Sequence, residues 1–376
     1  MAHGQSGRIV VDVQPEAKRR LYAALSMSGT TLKDWFLQSA SDYCEGQFQP
    51  SLLPANGNKF EETPPDYKIS KLNRFSMVSM FSGCGGMDLG FVGGFQIFGR
   101  DYAKHPIDIV WANDLNAAAC ETYRRNIGLE IKTGDIWSLI DTMPKRADIL
   151  VGGFPCQDIS INGKMVGING PRSGLYRAMI EAIKRLKPKV FVAENVRALF
   201  KHPEWLDQIV RDFGSLGYDL SYELYKAADY GVPQTRERVF FVGTSPKVRK
   251  FAPPMPERDM KTWMSAREAI DDLAKLPPNP EFNHIWSAAA RSGEQGGRRL
   301  IAGRPGYTIR AECHGNIQFH YTEKRRISMR EAARIQTFPD TFRFASGLRE
   351  TERQVGNAVP PVLAWHIANA VLKCLQ

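Results

Sequence analysis

The stretch Met77-Val-Ser-Met-Phe-Ser-Gly-Cys-Gly-Gly-Met-Asp-Leu-Gly-Phe91 places a glycine-rich loop directly after an apolar run. Met77–Phe81 is typical of a buried strand, and the glycines that follow allow the backbone to pass close to a ligand. Nucleotide sites of α/β proteins lie at this point, at the carboxyl ends of parallel strands. A dinucleotide fingerprint would have a third glycine at position 88, where this chain has Asp88. We therefore do not expect a pyrophosphate there.

Short buried strands alternate with amphipathic helices after this loop. The clearest further strands are Ile109–Asn113, Asp148–Val151 and Val190–Ala193, and the helices between them include Asn116–Asn126 and Tyr176–Leu186. This alternation predicts an α/β fold with a mainly parallel sheet covered on both faces. From about residue 246 the pattern breaks into Pro- and Gly-rich pieces, which predict a second, smaller and irregular domain.

Residues 8–44 form a separate pattern at the amino terminus. Arg8–Val13 alternates like a strand, Pro15 opens one helical pattern, and Thr31–Asp34 resembles the capping box of another. Strand, helix, glycine turn and helix in so few residues resemble a ribbon-helix-helix module, which implies dimerisation. An ordinary helical hairpin packed on the main domain remains the alternative. Residues 48–73 are rich in proline and lack periodicity, which predicts a linker.

The composition limits the class of protein. The 376 residues carry 50 basic and 40 acidic side chains, a net charge of +10, and 43% are apolar, enough to bury a core. No run approaches the roughly 20 apolar residues of a membrane span, and the first residues lack a signal-peptide core. The six cysteines form no CxxC pair, so we expect reduced thiols, no metal site and a cytoplasmic location. Collagen-like, disulfide-scaffold, membrane and wholly disordered classes are excluded.

The basic surplus is concentrated in residues 246–352, which hold 19 Lys/Arg and 13 Asp/Glu, a net charge of +6. Such a region fits phosphate contacts along a nucleic-acid groove. A solvated surface would give the same composition, and charge alone does not choose between the two.

Two acids at strand ends indicate which ligand the glycine-rich loop would hold. Asp114 closes the strand Val110–Asp114, where a carboxylate can accept hydrogen bonds from two ribose hydroxyls. Asp135 follows Gly134 at a third strand end and could accept a hydrogen bond from an exocyclic amine. Recognition of ribose and adenine without a diphosphate favours S-adenosylmethionine.

A cysteine occupies the mouth of another predicted strand. Cys156 lies in Gly152-Gly-Phe-Pro-Cys-Gln-Asp-Ile-Ser160, and Glu194 ends the apolar strand that begins at Val190. The run Gln234-Thr-Arg-Glu-Arg238 precedes a further strand and directs alternate basic side chains to one face. A thiol, a carboxyl and two arginines at one rim suit a nucleophile, a proton donor and anion holders. A buried structural thiol is the alternative interpretation of Cys156.

These residues together resemble the DNA cytosine-5 methyltransferases of bacterial restriction-modification systems. Six blocks stand in the family's order between residues 75 and 376, namely Phe81-Ser-Gly-Cys-Gly-Gly86, Pro155-Cys-Gln157, Glu194-Asn-Val196, Gln234-x-Arg-x-Arg238, Arg326-Ile-Ser-Met-Arg-Glu-Ala-Ala-Arg-Ile-Gln-Thr-Phe-Pro339 and Gly356-Asn-Ala-Val-Pro360. Leu115 departs from the family, whose members often have an aromatic residue after the ribose-binding acid.

The resemblance implies a Rossmann-like S-adenosylmethionine-dependent methyltransferase fold, with a catalytic domain at 74–245, a smaller irregular target-recognition domain at 246–352 and a carboxy-terminal return at 353–376. The short amino-terminal β-α-α unit at 1–47 and the linker at 48–73 are expected from the sequence pattern and are not part of the family's shared core. The implied reaction is methylation of C5 of a flipped-out cytosine in a specific double-stranded DNA sequence.

The resemblance also assigns roles to residues. The implied catalytic residues are Cys156, Glu194, Asn195, Arg236 and Arg238. The implied cofactor residues are Phe81, Gly83, Cys84, Gly85, Asp114, Asp135, Leu175 and Asn357. The implied DNA contacts are Gln157, Gln234, Arg304, Arg310, His314 and Asn316.

Three further expectations concern context. The enzyme would act in the cytoplasm on nucleoid DNA, protect host DNA beside a cognate restriction endonuclease, and dimerise or bind a promoter through its amino-terminal unit. A tRNA cytosine-5 methyltransferase on the same scaffold and a transcriptional regulator are the alternatives.

Overall fold

The computed structural model describes residues 31, 32, 35, 36, 74–154, 175–288, 298–311 and 318–376. The predicted amino-terminal unit and the linker lie outside these residues apart from four positions. Cys156, Gln157, His314 and Asn316 also lie outside them. The chain divides into two compact units, residues 1–67 and residues 68–376, and the second is described here.

A seven-stranded sheet forms the centre of this unit, in the order β5-β4-β1-β6-β7-β9-β8. Its strands are β1 (Phe75–Met80), β4 (Ile107–Asp114), β5 (Lys132–Thr133), β6 (Ile149–Gly153), β7 (Val190–Val196), β8 (Asp219–Lys226) and β9 (Glu237–Thr244), and β2 (Phe95–Ile97) and β3 (Arg100–Tyr102) form a separate hairpin. The five strands from β5 to β7 are parallel, whereas β9 is antiparallel to both β7 and β8. The predicted mainly parallel α/β sheet is confirmed.

Nine α-helices lie in the described residues from 74 onward. They are α1 (Gly86–Val92), α2 (Ala117–Ile127), α3 (Ile136–Leu139), α4 (Tyr176–Leu186), α5 (Pro203–Gly214), α6 (Ala266–Ile270), α7 (Met329–Ile335), α8 (Leu348–Asn357) and α9 (Pro361–Leu375). The prediction for α4 matches its bounds. The predicted first strand, Met77–Phe81, differs from β1 at both ends: β1 begins two residues earlier, at Phe75, and Phe81 has a φ of 54° and lies outside it.

Successive side chains of a strand point to opposite faces of the sheet, and this alternation separates two cores. Odd-numbered residues of β1 and even-numbered residues of β7, such as Met77 and Val192, pack on the face covered by α1 and α9. Their neighbours, such as Val78 and Phe191, pack on the face covered by α4 and α5. The near-continuous apolar strands seen in the sequence follow from burial on both faces.

The chain returns at its end to the first strand, and two glycines make this approach possible. A Cβ on Gly86 would lie 2.5 Å from the carbonyl oxygen of Val359, and one on Gly90 would lie 2.5 Å from the Cβ of Ala364. Because Gly86 and Gly90 are four residues apart, they lie on the same face of α1. Helix α9 can therefore cross α1 closely at this face. The stretch Leu348–Leu375 has the length and composition of a membrane span, but 78% of its apolar window is buried in this core.

A third core holds the described part of the region after residue 246. It contains side chains of α6, α7 and α8, together with Ile309, Phe338 and Cys84 of the loop after β1. Capping boxes at Ser265 and Ser328 start α6 and α7. Because Cys84 belongs to this core, the loop after β1 is packed against the region that follows the sheet.

Candidate active site

Strand register brings three of the predicted site segments to one edge of the sheet. Gly153 of β6 lies opposite Glu194 of β7, and Val196 of β7 lies opposite Arg238 of β9. Pro155 and Cys156 follow Gly153 by two and three residues in the sequence. The carboxyl ends of β6 and β7 therefore meet the amino end of β9 at the point where the sequence places its thiol.

Glu194 and Arg238 form the central ion pair of this edge. The Arg238 Nε lies 2.8 Å from Glu194 Oε1, and the two side chains are 11% and 10% exposed. Burial raises the pKa of Glu194 above that of an ordinary glutamate, and the charges of Arg238 and Arg236 oppose this rise. A carboxyl in this setting holds its proton to higher pH than an exposed one. It also retains a narrow opening to solvent.

Gly153 and Asn195 shape the space around this pair. A Cβ on Gly153 would lie 3.0 Å from Glu194 Oε2, so a side chain there would displace the carboxylate. The Asn195 amide donates a hydrogen bond to the carbonyl oxygen of Phe154 at 3.3 Å, and its Oδ1 accepts one from the Val196 backbone N–H at 2.8 Å. Asn195 is buried and fixes the backbone two residues before Cys156.

Arg236 has a different environment from Arg238. It is fully buried, and its guanidinium donates to the carbonyl oxygens of Ile309 and Gly356, each at 2.9 Å. Burial, followed by the charge of Arg238, lowers the pKa of this guanidinium well below its usual range. Arg236 directly precedes β9 and connects it to the segments around Ile309 and Gly356. Its predicted contact with the base stays a prediction.

Gln234 is also buried rather than presented to a ligand surface. Its amide donates to the Ile335 carbonyl oxygen at 3.3 Å and to Gln336 Oε1 at 2.5 Å. Its own oxygen accepts from the Ile309 N–H at 3.0 Å. Both the nitrogen and the oxygen of this amide therefore have protein partners, and a contact between Gln234 and DNA stays a prediction.

The loop after β1 is held by the acid at the end of β4. The backbone N–H of Gly83 donates to Asp114 Oδ2 at 2.8 Å, and the N–H of Asn116 donates to Oδ1 at 2.8 Å. Burial raises the pKa of Asp114. Gly83 and Gly85 have φ of 55° and 95°, conformations that side chains rarely adopt, and the space beside Gly83 is open to 4 Å.

Cys84 and Asp88, in the same loop and helix, point into the protein. Burial raises the pKa of the Cys84 thiol to about 12, and its Sγ lies 3.8 Å from the carbonyl oxygen of Gln354. Asp88 accepts hydrogen bonds from Ser79 Oγ at 2.7 Å and Tyr123 Oη at 2.6 Å, and burial raises its pKa to about 6. The residue that replaces the third fingerprint glycine thus ties α1 to β1 and α2.

Large apolar side chains are exposed at the adjoining strand ends. Leu115 is 72% exposed directly after Asp114, and Trp137 is 48% exposed two residues after Asp135. Asp135 is itself exposed and caps α3 by accepting from the Trp137 N–H at 2.9 Å. Sequence analysis missed Trp137. The available signal was an aromatic residue immediately beyond a strand-end acid.

Helix α8 approaches this loop from the carboxy-terminal part of the chain. The Asn116 amide donates to Glu350 Oε1 at 2.7 Å, and Glu350 pairs with Arg353 at 2.7 Å. Asn357 is exposed at the end of the same helix. Glu350 was also missed, because nothing local in the sequence relates it to Asn116, 234 residues away.

Three further predicted site residues lie within the described ranges, namely Leu175, Arg304 and Arg310. Leu175 is half-buried and directly precedes α4. Arg304 is exposed and Arg310 is half-buried.

The family model of C-5 cytosine-specific DNA methylases matches residues 75–298 and 289–373. The chain belongs to this family. The Type II methyltransferase M.NgoFVII of Neisseria gonorrhoeae is 36% identical over 345 residues, covering 81% of this chain and 89% of that protein. The Type II methyltransferase M.FnuDI of Fusobacterium nucleatum is 32% identical over 336 residues, covering 80% and 94%. The resemblance inferred from the six sequence blocks is confirmed.

Solved structures share the fold. A putative DNA modification methyltransferase encoded within a prophage of E. coli superposes with a TM-score of 0.61 at 22% identity, covering 80% of this chain and 99% of that one. The Dnmt2 methyltransferase of S. pombe gives 0.59 at 19% identity, covering 80% and 99%. The predicted methyltransferase fold class of this C-5 cytosine DNA methylase is thereby confirmed.

Proposed function

We propose that this DNA methylase transfers a methyl group from S-adenosylmethionine to C5 of a flipped-out cytosine in duplex DNA, with Cys156 as the nucleophile. The observation that carries the proposal is the Glu194–Arg238 pair, nearly buried at 2.8 Å and beside the strand end that leads to Cys156. A proton donor with a raised pKa and a guanidinium are the partners that a cytosine ring requires once a thiolate attacks it.

The residues at the first strand ends fit the cofactor. The open, positive-φ loop at Gly83 admits a close approach, and Leu115 and Trp137 offer apolar surface to an adenine ring. We assign Asp114 to the ribose and Asp135 to the adenine amine, with Phe81, Gly85, Leu175 and Asn357 around them. Cys84 supports the loop from within. When bound, S-adenosylmethionine supplies an electrophilic methyl group on a sulfonium.

The chain's own residues prepare the base to receive that methyl group. The Cys156 thiolate forms a bond to C6, and the C5–C6 π electrons move toward C5 as Glu194 hydrogen-bonds or protonates N3. Arg238 holds the base carbonyl and keeps Glu194 in place. Asn195 fixes the approach of Cys156 through Phe154, and Arg236 acts as a positioning residue through Ile309 and Gly356.

Release restores the aromatic ring. After C5 has accepted the methyl group, a base removes the C5 proton, the electron pair re-forms the C5–C6 double bond, and the Cys156 thiolate leaves. None of these atoms can be reached inside a stacked duplex, so the cytosine must be flipped out at a cost of about a few kcal/mol. Phosphate contacts by basic residues offset that cost.

We assign recognition of a specific DNA sequence to the region 246–352, between a catalytic domain at 74–245 and the return at 353–376. Arg304 and Arg310 are its candidate contacts among the described residues, with Gln157, His314 and Asn316 beyond them. Because relatives are named Type II methyltransferases, we further propose that this cytoplasmic enzyme protects host DNA from a cognate endonuclease. Residues 1–47 are assigned to dimerisation.

The direct test traps the covalent intermediate. Fluorine at C5 cannot leave as a proton does, so duplex DNA containing 5-fluorocytosine should form a labelled, denaturation-resistant adduct when labelled S-adenosylmethionine is present. We expect the adduct with the native enzyme and with Cys374→Ser, whose thiol is buried in α9. We expect none with Cys156→Ser. An adduct that persists in Cys156→Ser would exclude this residue as the nucleophile, and adduct mapping would give the target sequence.

A further inference from the structure

The edge of the sheet opposite the candidate active site is built from six strand ends. Strands β1, β4, β6, β7 and β8 begin there and the antiparallel β9 ends there. Val190 lies opposite both Ile149 and Thr244, and Thr244 lies opposite Asp219. We call this the rear edge, comprising residues 74–76, 103–108, 143–149, 187–190, 215–219 and 244–250.

The rear edge carries a large share of the molecule's charge. It contains three acidic residues and nine basic ones, the latter being Arg74, Lys104, Lys145, Arg146, Lys187, Lys189, Lys247, Arg249 and Lys250. Its net charge is +6, against +10 for the whole chain. All nine basic residues are exposed.

The three acids are already engaged by three of these basic residues. Asp108 pairs with Arg74 at 2.6 Å, Asp148 with Lys189 at 2.9 Å, and Asp219 with Lys250 at 3.2 Å. Within the part of the chain that the structure describes, the other six basic side chains of the rear edge form no ion pair. Their mutual repulsion is therefore not offset by local partners.

Backbone hydrogen bonds make this a continuous surface. The Ser245 N–H donates to the Lys189 carbonyl at 2.8 Å, the Lys189 N–H donates to the Asp148 carbonyl at 2.8 Å, and the Asp148 N–H donates to the Ser76 carbonyl at 3.0 Å. Six adjacent strands about 4.8 Å apart span roughly 24 Å. At about 3.4 Å per base pair, this width corresponds to roughly seven base pairs of duplex DNA.

We propose that the rear edge binds a second segment of duplex DNA through its phosphates, while the opposite edge of the sheet, which carries the candidate active site, holds the target segment. A regular polyanion of this width matches a row of uncompensated ammonium and guanidinium groups on a rigid sheet edge. Such contacts carry no sequence information and fall steeply with salt. The protein would thereby bridge two DNA segments.

The proposal adds a surface to the proposed function without depending on its chemistry. Lys104, Lys145 and Lys187 are suited to test it, because each precedes a different strand and none forms an ion pair with a described residue. None of the three lies near the candidate active site or in the region 246–352. The triple substitution to Glu reverses three charges. The same triple substitution to Arg keeps every charge and serves as the matched control.

The experiment measures bridging directly. A short duplex is immobilised on beads, the full-length enzyme is added, and retention of a second, fluorescent duplex is measured over a range of salt concentrations. Methylation of the short duplex alone is followed in parallel. We expect the Lys→Glu triple variant to lose second-duplex affinity on the order of 100-fold and to reduce its salt slope by about 2–3. Its methylation of a short duplex should be unchanged, and the Lys→Arg variant should bridge like the native enzyme.

Several results would overturn the proposal. One is that the native enzyme retains no second duplex, and another is that the Lys→Glu variant bridges as well as the native enzyme. Equal loss of short-duplex methylation and bridging would place these lysines in a single shared DNA site. Stronger displacement of the second duplex by single-stranded RNA or polyglutamate than by unlabelled duplex would assign the surface to another polyanion. Failure of methylation in the native enzyme would instead count against the proposed function.

Discussion

Arg236 and Arg238 belong to one short motif yet lie in opposite surroundings. Arg238 faces Glu194 across neighbouring strands and keeps a narrow opening to solvent. Arg236 is fully buried and bonds the carbonyl oxygens of Ile309 and Gly356. An arginine can therefore take part in the reaction where its guanidinium is accessible to a ligand, as in Arg238. Where both of its terminal nitrogens donate to backbone carbonyl oxygens, as in Arg236, it stabilises the fold instead.

The largest expected effect on activity comes from changing Glu194, the partner of the accessible Arg238. Glu194→Gln keeps a hydrogen-bonding side chain but removes the transferable proton, so we expect kcat/KM to fall roughly 100- to 10,000-fold. Burial raises the pKa of Glu194, so its protonated form is lost as pH rises through that raised value. The alkaline limb of the kcat/KM profile should therefore disappear in the variant.

Glu237→Gln is the matched control, since Glu237 directly precedes Arg238 in the chain but pairs with Arg197 at 2.5 Å. Its activity and pH profile should stay near those of the native enzyme. A Glu194→Gln enzyme with native kcat/KM would remove Glu194 from the reaction.

The second expected effect separates the two arginines. Arg236→Lys cannot bond both carbonyl oxygens, and buried unsatisfied groups are costly, so the free energy of unfolding should fall by about 2–3 kcal/mol. Arg238→Lys keeps a positive charge beside Glu194, so it should lower the free energy of unfolding by less than Arg236→Lys does. The order should reverse for catalysis, where we expect Arg238→Lys to lower kcat/KM about tenfold or more.

Urea unfolding together with steady-state kinetics would measure both quantities. If Arg236→Lys unfolded like the native protein and lost activity as Arg238→Lys does, Arg236 would contact the substrate after all, as the sequence predicted.

The smallest expected effect concerns the hydrogen bond between Asn116 and Glu350, which connects α8 to the loop proposed to hold the cofactor. Glu350→Ala removes the acceptor for the side-chain amide of Asn116. The backbone N–H of Asn116 donates to Asp114, so this substitution loosens the support of the proposed ribose-binding acid. We expect the KM for S-adenosylmethionine to rise about three- to tenfold with little change in kcat, corresponding to about 1 kcal/mol.

Glu352→Ala, on the same helix, is the control and should leave this KM unchanged. An equal rise in both variants would mean that loss of α8 stability, rather than the Asn116 contact, is responsible.

Local pattern was a good guide where a residue's neighbours in sequence decide its structure. The bounds of α4 and the end of β4 at Asp114 follow from hydrophobic periodicity. The other two predicted strand ends are displaced, since Asp135 lies two residues beyond β5 and Glu194 lies two residues before the end of β7. Asp88 departs from the dinucleotide fingerprint, and its hydrogen bonds with Ser79 and Tyr123 had no sequence signal.

The family, the mainly parallel sheet and the segments that meet at the candidate active site could be inferred from the sequence, because they depend on apolar periodicity and on motif order. Which side chains of those segments are accessible follows only from the folded arrangement. Gln234 and Arg236 are buried by contacts to residues around 306–309, 335 and 356. Likewise, the rear edge gathers its charge from six separated segments. Burial and electrostatic environment depend on three-dimensional distance, which sequence spacing does not measure.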